Sequence, residues 1–418
     1  MFQHFHKIFS KILFLFFSTL LFLALTTLQA LGETTTYPSG NGAVLDSEGV
    51  IFPITENLKY GKIVTTPCAN EIVHNGITHL DQVDVVLDAG HGGPETGAVG
   101  ANGLVERDLN LVIALLTEKE LKKLGYSVAL TRRTDLHMSI RQRTTIANAL
   151  SPRAFVSIHH NGGAVRRSET PGTETFYQIG SSESKRLAGL LFEEISEALT
   201  DYWVPWVATV HQGASSRLKA KNVDAYGILR YTPDIPAVIS EAVYLSNPPE
   251  AELMALPEVQ IKEAQALARG IDRFLTSNDP GSGFKSPFID GVMTGTGTGK
   301  GCVDPEYGTI TKVAVGYSVE EYLSLVAAAR QQKMTVEELQ VFGVHALELF
   351  RLNAKPTSTS SEKINPPEVS GVMVEIANWS PSEQVALYRI ANAYDMTPAE
   401  AQKLGAIVMV FLTGLMNQ

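Results

Sequence analysis

Four side chains that can bind a metal ion or transfer a proton lie in the central part of this 418-residue sequence: His91, Glu106, His159 and Glu241. A zinc site in a hydrolase typically has three protein ligands and one position open for water, and His and Glu are common ligands. His91, Glu106 and His159 are therefore the predicted zinc ligands. Glu241 is the predicted general base, which takes a proton from the water and returns it to a leaving amine.

Each of these residues also has a structural explanation when it is considered alone. His91 stands in a glycine-rich stretch and could belong to a structural or phosphate-binding turn. Glu106 could be a carboxylate favoured by the dipole at the start of a helix, and Glu241 could be a buried ion-pair partner. The spacing along the chain matches no short zinc motif, so the metal site depends on a fold that brings the four residues together.

The surrounding elements predict such a fold. The stretch 84–93 has a short apolar run and predicts a buried strand that ends in a glycine-rich loop. Buried strands are also predicted for residues 154–158 and 236–241. The first leads into His159 and the second ends on Glu241. Helices of about ten or more residues separate the strands, which is typical of an α/β fold with a mainly parallel sheet and helices on both faces. Sites lie at the carboxyl ends of strands in such sheets, so we expect all four side chains there.

The remaining elements of this region continue the alternation of strand and helix. Further strands are predicted at 127–131 and 173–179, and helices at 106–124, 139–150, 183–199 and 259–275. Residues 203–212 fit neither pattern. Residues 217–222 are basic and polar, and we predict that they form a surface loop.

The N-terminal segment 1–32 is predicted to be a secretory signal peptide. Lys7 and Lys11 precede an apolar run, and Ala30-Leu31-Gly32 is a small-residue cleavage site. The alternative is an uncleaved anchor, in which case the protein would be attached to the membrane. Both readings predict an extracytoplasmic location, either secreted or in the cell wall or periplasm.

Composition and charge limit the possible partners. With 44% apolar residues the chain can bury a large core, and its length predicts two or three domains. The net charge is −10, and removal of the signal with its two lysines makes it about −12. Nucleic acid is not an expected partner, because binding to phosphates needs a positive surface.

Residues 33–82 are polar and rich in turn-forming residues, so we predict an irregular N-terminal lead-in that packs locally near Cys68. Cys68 and Cys302 are the two cysteines of the chain, and they flank the central region. An exported protein meets an oxidising environment, so we predict one disulfide bond between them. Two unpaired thiols are the alternative, because sequence does not show whether the Cα atoms come within bonding distance.

The C-terminal part contains an internal duplication. A Gly-rich linker at 278–312 precedes a helical repeat at 313–354, and a second linker at 355–371 precedes a second repeat at 372–418. The copies align without gaps at an offset of 62 residues. Identical positions include Ser318/Ser380, Glu321/Glu383, Thr335/Thr397, Glu338/Glu400 and Gly343/Gly405. Each copy is predicted to have two helices joined at a Met-Thr pair, with the threonine as N-cap of a capping box.

Several motifs of the central region occur together and in the order found in one enzyme family. They are Asp88-Ala89-Gly90-His91-Gly92-Gly93, Gly103-Leu104-Val105-Glu106-Arg107-Asp108-Leu109-Asn110-Leu111, Leu130-Thr131-Arg132, Ser157-Ile158-His159-His160-Asn161, Ser240-Glu241-Ala242 and Leu245-Ser246-Asn247-Pro248. Over about Val83 to Leu275 the chain resembles the zinc-dependent N-acetylmuramoyl-L-alanine amidases of the amidase-3 family. The resemblance implies an amidase domain at 83–277, with zinc on His91, Glu106 and His159 and with Glu241 as the catalytic glutamate.

The reaction implied by the resemblance is hydrolysis of the amide bond between N-acetylmuramic acid and the L-alanine of the peptidoglycan stem peptide. A zinc-activated water would attack, with Glu241 as general base. Peptidoglycan is thus the implied substrate and Zn²⁺ the implied cofactor. Two other functions stay open. A catalytically inactive or regulatory wall-binding relative would be indicated by loss of a ligand or of Glu241, and a zinc peptidase or deacetylase is disfavoured by the motif order.

Two residues depart from the family pattern. Ala89 stands where proline is usual, and His160 stands where a small residue usually follows the ligand. Neither change removes a ligand. We predict that His159 binds the metal and that His160 does not.

Two further features concern glycan binding. Trp203, Trp206 and Tyr226 could line a glycan groove or pack in the core. The duplicated tail has some likeness to LysM glycan-binding modules in its Tyr317-Ser318-Val319 opening and in its helix pair. It lacks their glycine-aspartate turn and clear flanking strands, so the alternative is a small helical module that docks to the wall or to another protein.

Overall fold

The computed structural model describes residues 40–74, 78–163, 166–289, 301–305, 313–353, 372–376 and 379–415. The predicted signal peptide and the predicted linker at 355–371 lie outside these residues. The chain divides into two compact units, Pro38–Thr309 and Ile310–Gln418 together with Met1–Tyr37. Within the described ranges, no helix has both the length and the apolar character that crossing a bilayer requires.

The larger unit begins with a five-stranded antiparallel sheet. Its strands are β1 (Ala43–Leu45), β2 (Ile51–Leu58), β3 (Gly61–Thr65), β4 (Glu71–Val73) and β5 (Thr78–Leu80), in the order β4-β3-β2-β1-β5. Val44, Phe52, Ile54 and Val64 pack together on it as a small apolar cluster. The prediction of an irregular lead-in was therefore wrong. β1, β4 and β5 have three residues each, which is too short for the alternation that a sequence pattern reveals.

A six-stranded mixed sheet forms the centre of the same unit. The further strands are β6 (Val85–Ala89), β7 (Val128–Leu130), β8 (Ala154–Asn161), β9 (Arg166–Ser168), β10 (Glu174–Tyr177), β11 (Trp206–Ala208), β12 (Gly213–Ser215), β13 (Arg217–Ala220), β14 (Val223–Asp224), β15 (Ala237–Tyr244) and β16 (Phe288–Ile289). The central order is β12-β10-β15-β8-β6-β7. Its β6–β7, β6–β8, β8–β15 and β10–β12 pairs are parallel, and the β10–β15 pair is antiparallel.

Helices and apolar side chains cover both faces of this sheet. The helices are α1 (Glu106–Lys123), α2 (Ile140–Leu150), α3 (Ser182–Thr200), α4 (Gly227–Arg230), α5 (Pro248–Met254) and α6 (Pro257–Thr276). Because side chains alternate along a strand, Val156 and Ile158 pack with α1, α3 and α6, while Phe155 packs on the opposite face with α2. The layers are those of an α/β fold.

Two segments that the sequence analysis assigned to loops are ordered. Residues 217–222 were predicted to be a surface loop, but β13 pairs with β14 and, in parallel, with β16. The linker predicted for 278–312 begins later than expected. The backbone of Ala214 on β12 accepts a hydrogen bond from Lys285 N (2.8 Å) and donates one to Gly283 O (2.9 Å). These are edge-strand hydrogen bonds, which a glycine-rich composition does not reveal.

The predicted disulfide between Cys68 and Cys302 is present, with Cα atoms 5.5 Å apart. Asp304 reinforces the same junction. Its carboxylate accepts hydrogen bonds from Thr66 Oγ1 (2.6 Å), Cys68 N (3.0 Å) and Asn70 Nδ2 (2.8 Å). The bond and the carboxylate together attach residues 302–304, which lie within the linker predicted at 278–312, to the N-terminal sheet.

The C-terminal unit combines both copies of the duplication. It contains β17 (Val313–Tyr317), α7 (Val319–Gln332), α8 (Val336–Asn353), β18 (Val372–Ile376), α9 (Pro381–Ala393) and α10 (Pro398–Leu415). The predicted capping boxes at the Met-Thr junctions form. Glu338 N donates to Thr335 Oγ1 (3.1 Å) while Thr335 N donates to Glu338 Oε2 (2.7 Å), and Thr397 and Glu400 repeat the pattern.

Equivalent residues of the two copies meet in this unit. β17 and β18 pair in antiparallel orientation, so each copy supplies one strand that the sequence analysis did not expect. A Cβ on Gly343 of α8 would overlap the carbonyl oxygen of Gly405 on α10, so glycine permits the close approach of these helices. Gln402 Nε2 donates to Gln340 Oε1 at 3.4 Å.

Candidate metal centre

His91 lies in the loop that leaves β6 at the carboxyl edge of the central sheet. Its backbone has a φ of +62°, in the left-handed region. Glycines allow the neighbouring groups to approach it closely. A Cβ at Gly90 would overlap the imidazole of His159, and a Cβ at Gly97 would overlap the carboxylate of Glu106. The glycines that the sequence places around His91 are therefore needed for the cluster to form.

Glu106 is the first residue of α1 and is only 4% exposed. Its Oε1 lies 3.1 Å from His91 Nε2 and 2.9 Å from His159 Nδ1, and its Oε2 accepts a hydrogen bond from Ala98 N at 2.7 Å. Burial opposes ionisation, but the two histidines outweigh it and hold the pKa of Glu106 well below its usual range. One carboxylate oxygen and two imidazole nitrogens thus lie within 4.8 Å of one another.

The adjacent histidines of β8 lie on opposite faces of the sheet because side chains alternate along a strand. His159 joins the cluster described above. His160 is buried on the opposite face, where its Nδ1 lies 2.7 Å from Asn110 Oδ1 and its Nε2 lies 3.1 Å from Glu263 Oε2. Both ring nitrogens of His160 are engaged there, so His160 has no free nitrogen for the cluster.

Buried charges hold the backbone on which His91 stands. Arg143 Nη1 pairs with Asp88 at 2.6 Å and also donates to the carbonyl oxygen of Ala89 at 2.7 Å. Arg132 Nε donates to the same carbonyl oxygen at 2.9 Å. Burial opposes ionisation of Asp88, but Arg143 and two buried hydroxyl donors outweigh it and lower the pKa of Asp88. The position of the loop is therefore set by charge-assisted hydrogen bonds.

Glu241 stands in register with His159 on β8 and with Glu174 on β10. Residues in register share one face of a sheet, so the three side chains form a row across three strands. Glu241 is 9% exposed, and its Oε2 is buried without a hydrogen-bond partner among the described residues. Burial, reinforced by the charges of Glu106 and Glu174, raises the pKa of Glu241 well above its ordinary value. An unsatisfied basic oxygen beside the cluster is suited to proton transfer.

Glu174 is a site residue that the sequence analysis missed. It is 4% exposed, and its Oε2 accepts hydrogen bonds from Asn161 Nδ2 (2.9 Å) and from the Tyr244 hydroxyl (3.0 Å). Its Oε1 accepts one from the Thr209 hydroxyl. A single glutamate in a strand has no spacing signal. Only the antiparallel pairing of β10 with β15 places it beside Glu241.

The aromatic residues considered for a glycan groove occupy three different environments. Trp206 is 3% exposed and belongs to the main core, whereas Trp203 is 99% exposed. Tyr226 packs against Phe176 with ring centroids 5.1 Å apart, and its hydroxyl accepts a hydrogen bond from Arg217 Nη1 at 3.0 Å. Burial and the charge of Glu241 raise the pKa of Tyr226. Of the three, Tyr226 is the one that the charge of Glu241 affects.

An α/β domain with a His-Glu-His cluster and a buried glutamate at one edge of its sheet agrees with the comparison to known families. The family of N-acetylmuramoyl-L-alanine amidases known as amidase-3 matches residues 85–273. This chain belongs to that family.

Individual relatives cover the same region. The chain is 33% identical over 214 residues to YqiI, an uncharacterised protein of Bacillus subtilis. The matched region covers 51% of this chain and 92% of YqiI. It is 28% identical over 211 residues to the germination-specific N-acetylmuramoyl-L-alanine amidase of the same organism, covering 47% and 81%. The solved catalytic domain of CwlV, an amidase from Bacillus (Paenibacillus) polymyxa var. colistinus, is 34% identical, covers 46% of this chain and 97% of that one, and has a TM-score of 0.38.

Proposed function

We propose that this chain is a zinc-dependent peptidoglycan hydrolase that cleaves the amide bond between N-acetylmuramic acid and the L-alanine of the stem peptide. The observation that carries the proposal is the convergence of His91, Glu106 and His159, with Glu241 in register beside them. Membership of the amidase family supports the choice of bond.

The three converging residues fit zinc. Imidazole nitrogen and carboxylate oxygen are both ordinary zinc ligands, bound at about 2.0–2.2 Å. Donor atoms that lie within 4.8 Å of one another are close enough to share one ion. Three protein ligands leave a further position open, as in catalytic rather than structural sites. Zinc held there supplies Lewis-acid polarisation of the scissile carbonyl and lowers the pKa of a water molecule.

The proton transfers are assigned to Glu241. Its unpartnered Oε2 accepts a proton from the attacking water as the water oxygen bonds to the lactyl carbonyl carbon. The same carboxyl then delivers the proton to the nitrogen of L-alanine as the carbon–nitrogen bond breaks. His91, Glu106 and His159 would hold the zinc and take no part in the proton transfer.

The substrate and the N-terminal segment support an extracytoplasmic location. Peptidoglycan lies outside the cytoplasmic membrane, and residues 1–32 have the composition of a secretory signal. The proposal assigns docking to the wall or to a protein partner to the C-terminal unit. This assignment is supported by the location of the His-Glu-His cluster, which lies wholly in the larger unit and so needs no residue of the C-terminal unit.

Digestion of purified cell wall tests the reaction. The zinc-loaded protein should release peptides with L-alanine at their new N-terminus while the number of reducing sugar ends stays constant. A chelated sample should be inactive and should recover when zinc is added back. New reducing ends would identify a glycosidase, other new N-termini a peptidase, and free acetate a deacetylase. The absence of any product from a zinc-loaded sample would support the inactive relative.

A further inference from the structure

We propose that Glu174 is a positioning residue of this hydrolytic site, an inference that rests on the function proposed above. Glu174 acts through three hydrogen-bond donors, Asn161, Thr209 and Tyr244, and we call these four residues the Glu174 network. The network holds the ends of the strands that carry His159 and Glu241, and it attaches a neighbouring loop to them.

Two contacts of the network join the ends of β8 and β15. Asn161 ends β8 two residues after His159, and Tyr244 ends β15 three residues after Glu241. Asn161 and Tyr244 are Cα partners, but the register shifts between Glu241 and Tyr244. Such an irregularity re-aims the side chains beside it and weakens the ladder locally. One oxygen of Glu174 accepts hydrogen bonds from both strand ends. The carboxylate therefore links β8 and β15 where the register shift interrupts their backbone pairing.

The third contact holds the loop between β11 and β12. The Thr209 hydroxyl donates to Glu174 and accepts a hydrogen bond from His211 N at 3.0 Å. The His211 ring stacks on Phe288, with centroids 3.5 Å apart and planes 3° from parallel. Phe288 in turn lies near Phe176 on β10, at a centroid distance of 6.5 Å. The His211–Phe288 stack is therefore tied to the same carboxylate through Thr209.

The network requires, at position 174, a group that accepts hydrogen bonds and donates none. Glu174 is nearly fully buried, and burial of a carboxylate is costly unless several hydrogen bonds compensate. Among the described residues its three partners are neutral donors, one amide and two hydroxyl groups. Glutamine has nearly the same shape but must present an amide group to one of these donors. Glu174→Gln therefore replaces one of the two acceptor oxygens by a donor while it keeps the volume.

Kinetics of Glu174→Gln test the positioning role. We expect zinc content to stay at about one ion per chain. We expect kcat to fall about 10- to 100-fold, because small misplacements of reacting groups cause losses of this size. Tyr244→Phe should lower kcat with little change in KM, because it removes a strand-end contact. Thr209→Val should mainly raise KM, because it frees the loop. The double variant Glu174→Gln/Tyr244→Phe should lose less kcat than the sum of the two single losses, since both substitutions act on the hydrogen bond between Tyr244 and residue 174.

Glu194→Gln is the matched control. Glu194 is also a buried carboxylate, at 7% exposure, but it pairs with Arg269 (2.7 Å) and Arg273 (2.8 Å) on the helical layer, away from the strand ends. The Glu194→Gln variant should lose stability and keep the wild-type kcat. If Glu174→Gln loses melting temperature but keeps kcat, as the control should, or if the double variant shows additive losses, the positioning role is refuted.

Hydrogen exchange provides a readout that does not need amidase activity. In zinc-loaded Glu174→Gln the backbone amides of 159–161 and 241–245 should exchange about tenfold faster than in wild type, while Glu194→Gln leaves them unchanged. Faster exchange together with an inactive wild type would refute the proposed function and retain the network. Unchanged exchange in an active protein would refute the network and retain the function.

Discussion

At the residue scale, strand alternation distinguishes the two adjacent histidines. His159 shares a face of the sheet with Glu241, whereas His160 is held between Asn110 and Glu263 on the opposite face. Once β8 is identified as a strand, the sequence itself places Phe155, Ser157 and His159 on one face and His160 on the other.

The first prediction concerns this pair. His159→Ala should abolish zinc binding, because it removes one of three ligands, whereas His160→Ala should keep about one zinc per chain after dialysis. His160→Ala should instead lower the melting temperature, since it leaves Glu263 buried without its partner. Metal analysis and thermal unfolding of both variants check this. Zinc lost from the His160 variant and kept by the His159 variant would reverse the assignment.

The second prediction concerns the buried pair below the His91 loop. Asp88→Asn leaves Arg143 buried without its countercharge and should lower the free energy of unfolding by about 3–5 kcal/mol at pH 7. The pKa of Asp88 is lowered in the folded state, so its contribution is fully present above the ordinary pKa of 3.8 and is lost as the pH falls through the lower folded value.

Denaturant unfolding of wild type and Asp88→Asn at several pH values checks the second prediction. The difference between the two proteins should be constant from pH 7 to about pH 4 and should shrink below it. A difference that is already absent at pH 7, or that persists unchanged at pH 2, would show that the ion pair is not what stabilises the loop.

The four predicted site residues could be selected from the sequence because family motifs carry them, but Glu174 could not. Its neighbours in the chain are Thr173 and Thr175, which suggest no more than a strand. Its position beside Glu241 depends on antiparallel pairing between segments over sixty residues apart. Registers of this kind are set by the folded sheet, and a single sequence does not contain them in readable form.

At the scale of elements, long periodic segments were predictable and short edge strands were not. The helix predicted at 183–199 is observed at Ser182–Thr200, and the strand predicted at 173–179 is observed at Glu174–Tyr177. The strands β1, β4, β5 and β13 escaped prediction because they have only three or four residues. β2 has eight residues, but Pro53 and its polar second half hide the strand pattern. Their pairing partners, rather than their own pattern, make them strands.

The third prediction concerns the disulfide. The bond closes a loop with a sequence separation of 234 residues, so replacement of Cys68 and Cys302 by serine should lower the free energy of unfolding by about 2–5 kcal/mol. Zinc content should not change, because neither cysteine belongs to the His-Glu-His cluster. Equal unfolding midpoints for the oxidised wild type and the double variant would contradict this account of the junction.

At the scale of the whole molecule, the division into two units gives the fourth prediction. A chain that ends at residue 305 keeps the central sheet, the disulfide and Asp304. It should fold, bind zinc and hydrolyse a soluble muramoyl peptide at a rate within about threefold of the full chain, since the metal centre lies in this unit. A chain that ends at 289 should be less stable by about the contribution of the disulfide.

Circular dichroism, unfolding midpoints and peptide hydrolysis of the two shortened chains check the fourth prediction. Loss of folding in the chain that ends at 305 would mean that the C-terminal unit is needed for the stability of the larger one. Equal stability of the two shortened chains would mean that the Cys302 segment contributes nothing.

The most direct test of the central claim is the turnover of zinc-loaded Glu241→Gln on purified cell wall. The substitution keeps the size of the side chain and removes the basic oxygen, so the variant should keep about one zinc per chain and the wild-type fold. Its release of peptides with N-terminal L-alanine should fall by about 10²–10⁴-fold, the usual contribution of general acid–base catalysis. A rate within about threefold of wild type at saturating zinc would contradict the role of Glu241, and loss of zinc would instead make Glu241 a ligand.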